Sequence, residues 1–393
     1  MLILEEQQLS ADISLLARAW DGNETFLVLP SPRPVQDNWI SDAIARLPAE
    51  LLHGHFGLLT SGSTGSPKLV IGKKDRTLAL VRRIHEAQSL ESITTAILTL
   101  PLGYSYSLVN QWLWSHAYER KLIQTQGLAD PKLLVSVLTS CRDAMLCLVG
   151  SQIPIFKRVF PDNSRFIGVH RINFAGAPFP QSELPWLETV FPNAVVLHNY
   201  GCTEALPRLT IRQAYASSDP MVLGDPLLGI TLSVGADSQL RFTSPYSAVA
   251  IASETEVSII RKDELIPTGD LAETQSDGRI RLIGRASEVF KRHGEKLSLV
   301  TISNLVKDHW SGNFGLYIEQ AMDGELGYVL SLEASPNNVD VRQLLMGFRS
   351  RSKRTHWPIR IVATEKIPLS DNGKPDIKAL QLQDSITLWK QML

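Results

Sequence analysis

Cysteine is scarce in this chain of 393 residues, with Cys141, Cys147 and Cys202 its whole supply. An odd number at those spacings fits neither a disulfide framework nor paired metal ligands, so the three read as reduced thiols of a cytoplasmic protein. An excess of one charge is missing too: 39 basic residues face 40 acidic ones, for a formal net charge of −1. Such a balance leaves no bulk field to recruit nucleic acid or an anionic membrane, and neither is expected as a partner. No uninterrupted apolar run is long enough to span a bilayer. The opening Met1-Leu2-Ile3-Leu4-Glu5-Glu6 lacks the basic segment and apolar core of a secretory leader. What is present, 44% hydrophobic and 20% charged residues, is the balance of a globular protein. The length implies about two to three domains.

The chain is organised around Thr60-Ser61-Gly62-Ser63-Thr64-Gly65-Ser66-Pro67-Lys68. Its glycines permit tightly curved backbone, so successive N–H groups can form a concave nest for an anion. The hydroxyls and the Lys68 ammonium add donors. Pro67 stiffens the exit and Leu69-Val70-Ile71 reads as a strand. This pattern suits nucleotide phosphates, although Lys68 falls too late for a GxxxxGK[ST] loop and a strand follows instead of a helix. By itself the stretch fits a Ser/Gly-rich surface turn as well.

Residues 1–58 carry the least information, with a strand at Phe26–Pro30 and helical spacing from Trp39 to Leu47. Beyond the loop, Thr77–Leu90 reads as a helix with Leu78, Val81 and Ile84 on one face. Strands are expected at Thr94–Leu100, Ala144–Val149, Ile172–Phe174 and Ala194–His198, with helices at Ile153–Phe160 and Leu184–Phe191 between them. That alternation implies an α/β fold with parallel-rich sheets, whose ligand sites lie at the carboxyl ends of strands. From Met221 the texture changes to short strands at Ile230–Val234, Leu240–Thr243, Glu256–Ile260 and Arg279–Ile283, expected to form a small β-subdomain. Helices at Ile302–Trp310 and Val341–Arg349, with strands at Phe314–Ile318 and Tyr328–Leu332, indicate a small α+β module at the end. The expected domains are 1–284 and a mobile lid, 285–393.

Five ordered stretches together carry a resemblance: the loop at 60–68, Asn199-Tyr200-Gly201-Cys202-Thr203-Glu204, Thr268-Gly269-Asp270-Leu271, Gly284-Arg285 through Gly294, and Asn372-Gly373-Lys374. In this order they resemble the adenylate-forming superfamily of acyl-CoA synthetases, peptide-synthetase adenylation domains and luciferases. The family's segment before the phosphate loop is much longer, so the resemblance implies a compact member with a shortened N-terminal subdomain.

The resemblance implies ATP and Mg2+ as reactants. Thr60, Ser61, Gly62, Ser63, Thr64, Gly65 and Lys68 would hold the β- and γ-phosphates, Glu204 the metal, and Thr203 a phosphate oxygen. Tyr200, beside Gly201, offers an aromatic face to the adenine. Phe174-Ala175-Gly176-Ala177-Pro178 resembles the turn that passes under that base, with Ala175 where many members have glycine. Asp270 would accept hydrogen bonds from the ribose hydroxyls, and Arg285 would face the same sugar. Lys374, at a turn tip, would bridge the acid's carboxylate and the α-phosphate during adenylation.

Departures from the family cluster at the hinge. Ser287 stands where an acidic residue or lysine is usual, and Thr301-Ile302-Ser303 replaces a later Glu-x-Glu. Lys291 to Gly294 matches the Lys-x-x-Gly segment that would line a thiol channel in the second half-reaction. Pro101-Leu102-Gly103-Tyr104-Ser105-Tyr106 stands near the family's acyl pocket and lacks the aspartate that holds an amino acid's ammonium. A small carboxylic acid other than an amino acid is therefore the expected substrate. Trp112 and Trp114 read as core residues or as lining of that pocket.

The resulting expectation is an AMP-forming acid–thiol ligase that forms an acyl-adenylate and acylates coenzyme A or the phosphopantetheine of an acyl carrier protein. An adenylation-only enzyme transferring to an amine or hydroxyl, and a non-catalytic nucleotide-binding homologue, stay open alongside it.

Overall fold

The computed structural model describes residues 1–31, 35, 37–60, 67–176, 179–368 and 375–391. Contacts divide the chain into two compact units. The first comprises Met1–Thr268 and Glu273–Leu282; the second comprises Gly269–Ala272 and Ile283–Leu393.

The first unit contains a six-stranded sheet, ordered Leu2–Glu5, Phe26–Leu29, His55–Thr60, Lys68–Lys73, Ala250–Ala252 and Val257–Ile259. Its first three strands run parallel and the rest pair antiparallel. The run Phe26-Leu27-Val28-Leu29 is continuously apolar because both faces of the sheet are covered. Leu27 and Leu29 pack with Ile40, Ala43 and Leu47 on one side. Phe26 and Val28 join Leu80, Val81 and Ile84 of the helix Lys74–Gln88 on the other.

A seven-stranded sheet lies in the same unit, ordered Asp225–Pro226, Thr210–Gln213, Val195–Tyr200, Val169–Phe174, Ala144–Leu148, Thr95–Leu98 and Lys121–Gln124. The five strands from Val195–Tyr200 onward are parallel, as the α/β alternation requires. Helices Ile153–Val159 and Leu184–Val190 connect three of them, and their Phe156 and Leu187 fill a core against Leu146, Ile172 and Val196.

The expected small β-subdomain is only partly right. Thr231–Val234 and Gln239–Thr243 do form an antiparallel hairpin. Val257–Ile259, however, pairs with Ala250–Ala252 at the edge of the six-stranded sheet. The short β-rich texture is the same in either place, so composition cannot say which edge a strand joins. The strands Ile266–Thr274 and Ile280–Arg285 each contribute residues to both units.

In the second unit, Phe314–Gln320, Leu326–Glu333, Arg360–Thr364 and Ile386–Lys390 form a four-stranded sheet. Helices Leu299–Lys307 and Val341–Arg351 contribute Ile302, Val306, Leu344 and Phe348 to its core, against Tyr328, Leu330 and Ile361. A separate hairpin pairs Val289–Arg292 with Glu295–Ser298. Its two-residue turn, His293-Gly294, has φ of +47° and +80°, the left-handed pair of a type I′ turn.

Candidate functional site

Three sequence-predicted stretches follow the carboxyl ends of parallel strands of the seven-stranded sheet. Val169–Phe174 runs into Ala175-Gly176, Val195–Tyr200 runs into Gly201 and Thr203, and Thr95–Leu98 leads to Pro101–Tyr106. The first two strands are parallel with Phe174 opposite His198, so the second strand continues two residues past the end of the first. Gly176 takes a φ of +85°, which favours glycine at that turn.

Gly201 is required by close packing. A Cβ there would lie 1.8 Å from the carbonyl oxygen of Pro207. Leu206 turns the chain back with a φ of +54° after the short 3-10 helix Thr203–Ala205. The turn is clipped in place by the Ala248 N–H, which donates to the Glu204 carbonyl at 2.9 Å. Ser105 Oγ lies 3.4 Å from Thr203 Oγ1, joining the Pro101–Tyr106 stretch to the Thr203–Glu204 turn.

Two residues unnoticed in the sequence hold this region. Arg208 is 1% exposed, donates to Asn199 Oδ1, and reaches Asn110 Oδ1 at 2.6 Å. Asn199 in turn donates to Asn173 Oδ1 at 2.9 Å. Burial lowers the Arg208 pKa from the ordinary guanidinium value, and among the described residues no carboxylate pairs with it. Glu6 acts beyond the end of the strand Thr95–Leu98: its carboxylate accepts the N–H groups of Leu102 at 2.7 Å and Gly103 at 2.6 Å. Only the fully apolar surroundings of Ala-Leu-Pro-Arg-Leu hinted at a buried Arg208, and nothing local marked Glu6.

Trp112 and Trp114 prove to be core residues, 4% and 0% exposed. Their backbone runs through a π-helical turn, Leu108–Leu113, continued by Trp114–Ala117. The three cysteines are free, and burial pushes the Cys147 thiol up to about 12 and Cys141 up to about 11. Neither is a thiolate near neutrality, so neither is a nucleophile there.

Thr60 and Lys68 close the hairpin formed by His55–Thr60 and Lys68–Lys73, directly opposite each other in register. Ser61, Gly62, Ser63, Thr64 and Gly65, with Ala177 and Lys374, lie outside the described residues.

The second unit carries the rest. Asp270 is 8% exposed, and its Oδ1 lies 3.1 Å from Arg285 Nε. Gly269 beside it has a φ of +80°. Ser287 sits in the single turn Ala286–Glu288, Lys291 in the strand Val289–Arg292, and Gly294 at the turn tip, where a Cβ would meet nothing within 4 Å. No cluster of three His, Cys, Asp or Glu side chains suited to a metal occurs among the described residues. A lone glutamate such as Glu204 fits Mg2+, which takes one or two carboxylates and completes its shell with water and substrate phosphates.

Comparison with known proteins agrees with this geometry. The family model described as AMP-binding enzyme matches residues 55–245, which include the hairpin loop and the Tyr200–Glu204 turn. That match is in keeping with the resemblance to the adenylate-forming superfamily. The chain is 24% identical over 352 residues to the beta-alanine-activating enzyme of Homo sapiens, covering 83% of this chain and 31% of that protein. It thus spans less than a third of that relative's length. It is 21% identical over 330 residues to the 3,4-dihydroxybenzoate–[aryl-carrier protein] ligase of Bacillus anthracis, covering 84% of this chain and 74% of the other. The fold is that of o-succinylbenzoate CoA synthetase from Bacillus subtilis in complex with its acyl-adenylate intermediate, with a TM-score of 0.72, 17% identity, and coverage of 99% of this chain and 84% of that one. No helix among the described residues is long and apolar enough to cross a membrane.

Proposed function

We propose that this protein activates a small carboxylic acid with ATP and transfers the acyl group to a thiol, either coenzyme A or a carrier protein's phosphopantetheine. One observation carries the reading: Ala175-Gly176 and Tyr200–Glu204 follow the carboxyl ends of two adjacent parallel strands, where such sheets bind ligands. The similar proteins named for a CoA synthetase and an aryl-carrier protein ligase support a thiol acceptor.

In this reading a carboxylate oxygen attacks the α-phosphorus, the bond to the bridging oxygen breaks, and pyrophosphate leaves. Thr60, Lys68 and the loop between them hold the terminal phosphates, while Tyr200 and Gly176 flank the adenine. Glu204 would hold Mg2+, which neutralises charge on the departing pyrophosphate. Lys374 stabilises the charge shared between carboxylate and α-phosphate. Asp270, fixed by Arg285, accepts from the ribose hydroxyls. The mixed anhydride then loses AMP to an attacking thiol, whose proton passes to solvent. Ser287 serves as the pivot, and Lys291 to Gly294 line the thiol's approach.

A second reading, adenylation followed by transfer to an amine or hydroxyl, rests on the altered hinge. Thr301-Ile302-Ser303 lies within the helix Leu299–Lys307 and offers no carboxylate where the family's Glu-x-Glu stands. Acid-dependent pyrophosphate exchange, followed by a thioester assay with coenzyme A and with a pantetheinylated carrier, separates the two. Exchange without a thioester from either acceptor favours the second reading. No exchange with any aryl or acyl acid leaves a nucleotide-binding homologue without catalysis.

A further inference from the structure

The hairpin of Val289–Arg292 and Glu295–Ser298 is too short to hold itself in place. Isolated two-stranded hairpins are marginal in water, and each strand here has only 4 residues. Its inner face roots it. Phe290 and Leu297, directly opposite in register, are each 4% exposed and belong to the core of the second unit. Strand alternation then puts Lys291 outward, where it is exposed, and turns Arg292 inward, where it is 3% exposed. The next cross-strand pair, Arg292 and Glu295, brackets the turn His293-Gly294.

The residues at this turn are tied to three other segments of the same unit. Arg292 donates to Gln391 Oε1 at 2.7 Å and to the Trp357 carbonyl at 3.3 Å. Gln391 is itself fixed, its N–H donating to the Ile359 carbonyl at 2.9 Å. Gly327 passes close to the guanidinium, and a Cβ there would come within 3.2 Å of Arg292 Nη1. The Glu295 carboxylate accepts from Lys353 Nζ at 2.6 Å and Thr355 Oγ1 at 3.3 Å, and lies 2.7 Å from His356 Nε2. Lys353 and His356 hold its pKa down at about 2, so it is an anion near neutrality. The His293 N–H donates to Glu325 Oε2 at 3.1 Å.

Apolar packing thus anchors the base of the hairpin, and polar tethers fix its tip. Because the base packs without these tethers, loss of one should shift the tip and leave the unit folded. We infer that Arg292 and Glu295 are positioning residues for the second half-reaction, fixing where the hairpin presents Lys291 and Gly294 to the arriving thiol. This rests on the reading that Lys291 to Gly294 line the thiol's approach. A misplacement of about 1 Å, even one caused far from the reacting atoms, can cost about 10²-fold in rate.

The test uses the full chain, an acid that supports pyrophosphate exchange, and the thiol acceptor that the wild type acylates. Glu295→Lys, which repels Lys353, should lower kcat for thioester formation about 10–100-fold. Pyrophosphate exchange and its KM for ATP should stay within about twofold of wild type. Adding Lys353→Glu restores an opposite-charge pair and should recover most of the loss, which general destabilisation would not allow. Gln391→Leu removes an acceptor of Arg292 without altering the hairpin, and should produce the same split between the two assays. Thermal melts check folding, and Glu295→Gln, which keeps the side chain's shape, carries the test if Glu295→Lys folds poorly. Wild-type thioester formation in both the Glu295 and the Gln391 variants overturns the inference. So does equal loss in the two assays, or no recovery on adding Lys353→Glu. Gly294→Leu tells the two failures apart. If it suppresses thioester formation while the tether variants do not, the thiol path stands and the positioning role falls. If it leaves thioester formation intact, or if wild type acylates neither coenzyme A nor a carrier protein, the thiol path fails and takes the inference with it.

Discussion

Asp270 Oδ1 lies 3.1 Å from Arg285 Nε, so a carboxylate that is almost wholly buried is oriented by a guanidinium that is half exposed. The pair joins two of the recognised motifs through their Gly269–Leu271 and Gly284-Arg285 residues, all of the second unit. A carboxylate fixed in this way presents its other oxygen in a set direction. Asp270→Ala should therefore raise the KM for ATP about 10–100-fold, the loss expected for charge-assisted hydrogen bonds. At saturating ATP kcat should change little. Steady-state pyrophosphate exchange checks this, and a fall in kcat at unchanged KM contradicts a ribose-binding role.

Lys374→Ala should act on the chemical step instead. Losing a group that stabilises transition-state charge should lower pyrophosphate exchange ~10²–10⁴-fold while ATP binding stays near wild type. Exchange that remains at the wild-type rate would remove Lys374 from the mechanism.

Arg208 anchors the strand that leads into the Tyr200–Glu204 turn through its hydrogen bond to Asn199. Arg208→Ala would leave Asn199 Oδ1 and Asn110 Oδ1 buried without their donor. The expected loss of stability is about 2–5 kcal/mol. Arg208→Lys keeps the charge but not the two-pronged geometry, so it should recover less than half of that. Urea denaturation measures both. Wild-type stability in Arg208→Ala would show that the amide network does not depend on the arginine.

Gly294 permits a test of the second half-reaction, with one structural complication. Its φ of +80° strains any side chain, although a Cβ would have free space around it. Asparagine tolerates this conformation better than leucine does. Gly294→Asn should fold and keep most thioester formation, whereas Gly294→Leu should suppress it and leave pyrophosphate exchange largely intact. Ser287→Pro should produce the same split by fixing φ at the proposed pivot. Equal losses in both assays would indicate a folding defect or a role in adenylation.

His198 gives the protein a predictable response to acid. It is buried on the strand Val195–Tyr200, and burial, helped by Arg212, brings its pKa down to about 4. In the unfolded chain it returns to the ordinary value near 6.5. Between these values the unfolded state takes up a proton that the folded state refuses. Stability is therefore full above about pH 6.5 and is lost as the pH falls toward 4, by at most about 1.4 kcal/mol per unit for this one proton. His198→Gln should flatten the dependence over that window in urea titrations at several pH values. An unchanged slope in the variant would assign the acid response to other groups.

The sequence by itself determined what depends on neighbours along the chain. Alternating strand and helix patterns placed strands at Ile172–Phe174 and Ala194–His198, observed as Val169–Phe174 and Val195–Tyr200, because apolar periodicity reports which local face is covered. The motif glycines were legible too: Gly176 sits at a turn with a φ of +85°, and Gly269 takes a φ of +80° within the strand Ile266–Thr274. Tertiary structure alone decided which distant residues meet. Glu6 reads as a solvated residue at a helix start, yet it holds N–H groups 96 and 97 positions away. Arg208 finds Asn110 across 98 positions, and Val257–Ile259 joins a sheet edge that its composition could not choose. Gly201, legible as part of a motif, is required for a reason visible only in space, the Pro207 carbonyl that occupies its missing side chain's place. Local pattern sets the faces of each element, but hydrogen bonds and close packing between elements depend on how the chain returns upon itself, and no short window of sequence encodes that.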